Sequence, residues 1–135
     1  MNYKAMTREE FFNLCGEQYG TSPDYPFDKD FETAVFRHSD TQKWYAIMMK
    51  VQRSKFSSYK SQSSPYETVD VVNLKLPIEL FASFAPSDGV YPAYHMNKQH
   101  WISVILKDVQ ADTHEFLVGV SFDATKRGSI KKNRK

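Results

Sequence analysis

The chain has 135 residues, of which 41% are hydrophobic and 15% aromatic, and its formal net charge is +2. This length suits one domain with a single buried core, and the composition excludes a disordered chain. Because the chain has neither a run of 18 uncharged apolar residues nor an N-terminal signal segment, we expect no membrane insertion and no secretion, and hence a cytoplasmic location. The lone cysteine, Cys15, excludes an internal disulfide, and its apolar helical setting predicts a buried structural thiol.

The first predicted element is a helix over residues 7–19. Thr7 and Glu10 have the spacing of a capping box, and Gly20 can supply the left-handed conformation that ends a helix. Residues 21–27 contain two prolines, which forbid regular helix and predict an ordered loop.

A strand hairpin and a polar connection are predicted next. Strand-type composition occurs at residues 31–38 and again at 44–49, with turn-like residues between the two runs. Residues 53–65 contain six serines among basic side chains, which favours a mobile, solvated connection.

The C-terminal half predicts further strands and two helices. Residues 69–76 alternate as in a half-buried strand, with Val72, Leu74 and Leu76 on the core face and Asn73 and Lys75 on the polar face. Pro77 begins a short helix that ends before Gly89, and residues 102–106 form a β-branched strand. Residues 112–115 resemble a second cap, with Phe116, Leu117 and Val120 on the core face of the third helix.

The predicted element order is α-β-β-β-α-β-β-α. Antiparallel hairpins with helices packed on one sheet face describe an α+β two-layer sandwich. We predict one domain over residues 1–125 and a flexible basic tail over 126–135. The tail holds six basic residues and no acid, so the body carries 12 basic against 16 acidic side chains. A mildly acidic body argues against extensive phosphate binding by the domain itself.

Residues 91–101 hold two of the four histidines and one of the two tryptophans. If Asn97 and Lys98 form a two-residue hairpin turn, His95 faces His100 across the hairpin. Tyr94 then faces Trp101. Two opposed imidazoles could share a metal, but they are an incomplete ligand set without a carboxylate nearby in sequence.

The structural interpretation of this pair is the stronger one. His100 shares the strand face of Ile102 and Val104, which favours a hydrogen-bonded core imidazole. We therefore expect no metal and no cofactor. The scattered glycines form no phosphate-binding motif, and Cys15 has no partner base in sequence, so we expect no enzyme.

Two interpretations of residues 91–101 remain open. In the functional one, Tyr91, Tyr94 and Trp101 stack on bases, Asn97 hydrogen-bonds, and Lys98 contacts phosphate. In the structural one, Tyr94 and Trp101 are core aromatics and Asn97 forms the turn.

The run Tyr94-His95-Met96-Asn97-Lys98-Gln99-His100-Trp101 resembles the Tyr-His-(Met/Leu)-Asn-Lys-x-His-Trp signature of the MmcQ/YjbR family. The resemblance extends over residues 7–125 and includes residues 25–27, 44–46 and 73–75. It implies a small bacterial cytoplasmic protein with a CyaY-like or secretion-chaperone-like fold. It also implies a DNA-binding role with a double-wing arrangement.

The leading hypothesis is a non-enzymatic DNA-binding module, with double-stranded DNA as the partner and a monomer or weak dimer as the state. The alternative is a protein-interaction or chaperone-like module that uses the exposed sheet face. A metal or small-ligand site at His95 and His100 is the third hypothesis. The candidate nucleic-acid contacts are Tyr94, His95, Asn97, Lys98, His100, Trp101, Lys126 and Arg127.

Overall fold

The structure, a computed structural model, describes residues 4–56, 66–84 and 89–126. The described residues confirm the predicted element order. The elements are α1 (Arg8–Tyr19), β1 (Ala34–Arg37), β2 (Trp44–Gln52), β3 (Thr68–Lys75), α2 (Ile78–Phe84), β4 (Val90–Pro92), β5 (Trp101–Ile105) and α3 (Ala111–Ala124).

The five strands form one sheet in the order β1-β2-β3-β5-β4, and each neighbouring pair is antiparallel. Met48 lies beside Val72, and Val72 lies beside Val104, so these three side chains form one row across the sheet. All three are fully buried in the main core, where Phe11 of α1 and Leu117 of α3 also pack. This confirms the α+β fold with its helices on one face of an antiparallel sheet.

We call the sheet side that packs against the helices the helix face and the opposite side the loop face. Because side chains alternate along a strand, the neighbours of the helix-face row project to the loop face. There Val51, Val69, Val71 and Ile105 form a second, smaller cluster with Phe56.

The predicted start and end of α1 are confirmed. Thr7 Oγ1 accepts a hydrogen bond from the Glu10 amide at 3.1 Å, and Glu10 Oε1 accepts from the Thr7 amide at 3.0 Å. Gly20 ends the helix with a φ of 65°, a conformation that glycine adopts without strain. Cys15 is buried, as predicted, and desolvation raises the pKa of its thiol to about 12.

The predicted N-cap of α3 was wrong, whereas its predicted core face was wrong only at Phe116, since Leu117 is buried and Val120 packs against the core. Its N-cap is Gln110, whose side chain makes no capping bond, and Asp112 lies within the first turn. The helix start is fixed instead by main-chain pairing, since the Ala111 amide donates to the Lys4 carbonyl at 2.7 Å. Phe116 is 52% exposed and does not belong to the core face. The buried residues of the helix are His114, Leu117, Val118 and Ser121.

Two predicted segments lie largely outside the described residues. These are the serine-rich connection beyond Phe56 and the basic tail beyond Lys126. Within the described ranges, no helix has the length and apolar character needed to cross a bilayer.

Candidate functional site

The connection between β4 and β5 is longer than predicted. The two strands pair Tyr91 with Ser103 and Pro92 with Ile102, and the Ala93 amide still donates to the Trp101 carbonyl at 3.2 Å. Residues 93–100, which we call the 93–100 loop, then leave the sheet. The predicted two-residue turn was therefore wrong, and so was its pairing of His95 with His100 and of Tyr94 with Trp101. The observed register differs from the predicted one by one residue, because Trp101 lies opposite Ala93.

A buried polar pair on the loop face binds the main chain of Tyr94 and thereby sets the observed register. Asn73 of β3 and Ser103 of β5 are opposite each other and fully buried. Ser103 Oγ donates to Asn73 Oδ1 at 2.5 Å, while Asn73 Nδ2 donates to the Tyr94 carbonyl at 3.0 Å. The Tyr94 amide in turn donates to Ser103 Oγ at 2.9 Å. This closed set of bonds satisfies the buried groups and fixes the start of the loop.

Asn97 forms the turn within the loop, as the structural interpretation proposed. Its side-chain oxygen accepts from the Gln99 amide at 2.8 Å. Its carbonyl accepts from the amides of His100 at 3.2 Å and Trp101 at 3.0 Å. The side-chain oxygen of Asn97 is therefore already engaged within the loop.

The side chains of the signature point in different directions. Lys98 and His100 are exposed, whereas Tyr94 and Trp101 are half-buried. The prediction that His100 is a core imidazole was wrong because His100 precedes the first paired residue of β5 and lies in the turn. The exposed ring of His95 packs on the ring of Tyr94, with centroids 3.9 Å apart.

The loop borders a shallow basic depression that we call the lysine groove. Its volume is about 240 Å³, and the two lysines that line it are exposed. The buried ring of Phe56 stacks on Tyr91 with centroids 4.9 Å apart, and this contact supports the aromatic side of the groove. The lining residues are Lys55, Phe56, Tyr91, Pro92, Ala93, Tyr94 and Lys98.

An ion-pair network holds the segment that carries Lys55 and Phe56. Arg53 is only 3% exposed and donates two bonds to the Asp108 carboxylate, at 2.7 and 2.9 Å. Its Nε donates to Glu67 at 2.8 Å. A buried guanidinium with two carboxylate partners anchors the chain at this point.

The same network corrects the prediction for residues 53–56. Glu67 also accepts from Lys107 at 2.7 Å, and the bonds from Lys107 and Arg53 lower the pKa of Glu67 to about 2. Residues 53–56 therefore form a single turn that is anchored by buried Arg53 and Phe56, while Lys55 is exposed. Sequence reasoning missed the network because its partners are far apart along the chain.

A second depression on the loop face, which we call the aromatic cleft, is bordered by His95 and Met96 of the 93–100 loop. Its volume is about 290 Å³. The residues that line it are Phe27, Asp30, Thr33, Trp44, Ile47, Met49, His95 and Met96. The cleft and the lysine groove share no lining residue, although the 93–100 loop contributes to both.

The structure brings only part of the predicted contact set together. Tyr94 and Lys98 line the lysine groove with Tyr91, and His95 lines the aromatic cleft. Lys126 belongs to the helix layer, where its ammonium lies 3.2 Å from Asp123 and 5.8 Å from the centre of the Phe122 ring. Arg127 lies outside the described residues. Across the described ranges, no group of three or more His, Cys, Asp or Glu could hold a metal ion.

Comparison with known proteins gives consistent similarities. A family model described as YjbR matches residues 17–124. The uncharacterised protein YyaQ of Bacillus subtilis (strain 168) is 36% identical over 122 residues, which cover 90% of this chain and 99% of YyaQ.

Solved structures share the same fold. The crystal structure of a protein from Pseudomonas syringae is 40% identical, with a TM-score of 0.81 over 90% of this chain and 100% of that one. The crystal structure of a Deinococcus radiodurans protein with a DUF419 domain is 26% identical. Its TM-score is 0.62 over 96% of this chain and 86% of that one. None of these three descriptions names a ligand or an activity.

Proposed function

The chain belongs to the YjbR family, and on that premise we propose that it is a non-enzymatic module that contacts DNA through its lysine groove. The observation that carries the proposal is the composition of the groove. Exposed Lys55 and Lys98 lie beside the half-buried rings of Tyr91 and Tyr94, and among the residues that the structure describes, no acidic side chain lines the groove.

The chemistry of the groove suits a polyanion with planar bases. Ammonium groups neutralise phosphates, and tyrosine rings supply surfaces on which bases stack. Within the described ranges, the lysines that form salt bridges are Lys4, Lys50, Lys107 and Lys126. The charges of Lys55 and Lys98 are thus not neutralised by ion pairs in that part of the chain.

The acidic body limits the strength of this interaction. Residues 1–125 carry four more acidic than basic side chains, so attraction to DNA arises locally at the groove and not from the field of the whole domain. We expect weak binding that is confined to low ionic strength, because salt screens and competes with such contacts.

A fluorescence anisotropy titration of a labelled duplex at several salt concentrations tests the proposal. Lys98→Ala should weaken binding and reduce the slope of log affinity against log salt by about one, since one phosphate contact is lost. Lys43→Ala is the matched control, because Lys43 is exposed and carries the same charge but does not line the groove. Its slope should equal that of the unaltered protein.

Three results would count against DNA binding by the groove. The first is no measurable binding at low salt. The second is binding that vanishes when residues 126–135 alone are removed. The third is an equal loss in Lys43→Ala and Lys98→Ala, which would show that only net charge matters.

Protein interaction is the second candidate function, and the surface that we propose for it is not the exposed sheet face that the sequence suggested. The loop face is not an open sheet surface, because Val35, Ile47 and Val71 are buried there. Three exposed rings lie instead in the connection between α1 and β1, where Phe31 is 83%, Tyr25 43% and Phe27 42% exposed. Such rings favour contact with an apolar partner. Sedimentation should detect self-association that Phe31→Ser abolishes, if the partner is a second copy.

A further inference from the structure

The aromatic cleft has the size of a site for one small chemical group. Ligand pockets for drug-sized molecules are about 300–1,000 Å³, and this cleft, at about 290 Å³, lies at the lower limit. Buried Ile47 and half-buried Met49 of β2 contribute its sheet side, and His95 and Met96 contribute its loop side. A single head group fits this space better than a stretch of nucleic acid or peptide.

Two aromatic rings form a corner of the cleft. The Phe27 and Trp44 rings have centroids 6.0 Å apart and planes at 90°. The face of an aromatic ring carries negative electrostatic potential, so a cation in the cleft is attracted to the ring surface that this edge-to-face contact leaves uncovered. Trp44 already interacts in this way, because the guanidinium carbon of Arg37 lies 5.5 Å from its ring centre. Arg37 is itself paired with Asp24 at 3.1 Å.

A fixed carboxylate lies beside the aromatic corner. Asp30 accepts hydrogen bonds from the amides of Glu32 and Thr33, both at 3.0 Å, and from the Thr33 hydroxyl at 2.7 Å. The bonds from Thr33 and Glu32 lower the pKa of Asp30, so the carboxylate is ionised at neutral pH. Asp30 and His95 are the titratable residues that line the cleft.

The hydrogen-bonding capacity of the cleft distinguishes among cations. A primary ammonium or a guanidinium brings several N–H donors that need acceptors. Asp30 already accepts three hydrogen bonds, and most of the other lining side chains are apolar, including the polarisable thioethers of Met49 and Met96. A fully methylated ammonium has no N–H to satisfy and presents methyl groups that pack against rings and thioethers.

We propose that the aromatic cleft binds a quaternary ammonium group, against the Phe27 and Trp44 rings and beside the Asp30 carboxylate. The group could belong to a free small molecule or to a trimethylated lysine side chain of another protein. The inference is independent of DNA binding, because the cleft and the lysine groove have no lining residue in common.

Methionine-methyl NMR of the full chain tests the site with choline as the probe. At constant ionic strength, choline should cause saturable shifts of the Met49 and Met96 methyl signals. Met6 and Met48 are internal controls, since both are buried in the core on the helix face. The absence of a saturable shift at Met49 and Met96, or equal shifts at all four methyls, would overturn the proposal.

A neutral molecule with the shape of choline tests whether the cleft recognises the positive charge or only the apolar shape of the ligand. The probe 3,3-dimethylbutan-1-ol has the shape of choline without its charge, and it should bind roughly fivefold more weakly or worse. Equal affinity for the two compounds would overturn the cation assignment. Choline and the amide of N-acetyl-trimethyllysine then distinguish a free ligand from a protein side chain, and saturable binding of either supports the site.

Variants locate the interaction within the cleft. Asp30→Asn keeps a hydrogen-bond acceptor and should weaken choline binding roughly fivefold. Glu17→Gln is the charge-matched control, because Glu17 is exposed on α1 and does not line the cleft. Unshifted Met6 and Met48 signals verify that the variants are folded. Equal choline affinity in Asp30→Asn and Glu17→Gln would exclude a role for the carboxylate, and the isostere comparison remains decisive if Asp30→Asn unfolds.

Discussion

The two faces of the sheet are stabilised by different chemistry. The helix face is sealed mainly by apolar side chains from the strands and the three helices, and its buried His114 and Ser121 hydrogen-bond to main-chain carbonyls. The loop face combines a smaller apolar cluster with the Asn73–Ser103 pair and the ion pairs of Arg53. Apolar packing requires only volume and shape, whereas the polar networks require specific partners at specific distances.

Because of this difference, substitutions on the two faces should have different effects on domain stability and on the geometry of the candidate sites. Both depressions described above lie on the loop face and are bordered by the loop that Asn73 and Ser103 hold. We therefore expect changes on the helix face to lower the stability of the whole domain. Changes in the polar networks should alter the lysine groove and the aromatic cleft as well.

The largest effect should come from the helix face. Phe11 is fully buried, and its ring meets the Phe36 ring edge-on with centroids 5.5 Å apart. Phe11→Ala should lower the free energy of unfolding by about 3–5 kcal/mol, through lost burial and the cavity left behind. Urea unfolding measures the change. Phe31→Ala removes the same atoms from a ring that is 83% exposed, and it should change stability by less than about 0.5 kcal/mol.

The helix face is also the part that sequence predicted best. Alternation in residues 69–76 placed Val72 and Leu74 in the core, and the capping box located the start of α1. These patterns involve residues that are close in sequence, and they are sufficient to predict which side chains of a strand or helix are buried. Where distant main-chain contacts decided the outcome, as at the start of α3, local pattern failed.

The candidate site was predicted only in part. The turn role of Asn97 and the exposure of Lys98 agree with the sequence signals, but the loop length and the register did not follow from them. They depend on Asn73, which sequence reasoning placed on a polar strand face, and on its contact with a residue 30 positions away. A single asparagine within an apolar strand and a serine within Ile102-Ser103-Val104 were the available signals.

The second prediction concerns the polar pair. Asn73→Ala should cost about 1–3 kcal/mol, because Ser103 and the Tyr94 carbonyl lose a partner in a buried setting. Amide NMR signals of the 93–100 loop should shift more than those of α1. The double variant Asn73→Ala/Ser103→Ala should cost less than the sum of the two single changes, because each removes a group that the other leaves unsatisfied. Strict additivity would contradict a shared network.

The smallest effects should appear in the pH dependence of stability, where the helix face and the loop face should lose stability in different pH ranges. On the helix face, burial lowers the pKa of His114 below its usual 6.5. On the loop face, the bonds from Lys107 and Arg53 lower the pKa of Glu67 from 4.5 to about 2. In both cases the unfolded state binds the proton at a higher pH than the folded state, so acid removes stability.

The two contributions should therefore be lost in sequence during acid titration. The His114 contribution starts to fall as the pH drops through about 6.5, and the Glu67 contribution is lost between about pH 4.5 and 2. His114→Gln should flatten the upper part of the curve of unfolding free energy against pH. Glu67→Gln should flatten only the lower part, because its neutral side chain cannot gain from the nearby cations. If either substitution altered the range assigned to the other, the two faces would share one electrostatic response and not have separate ones.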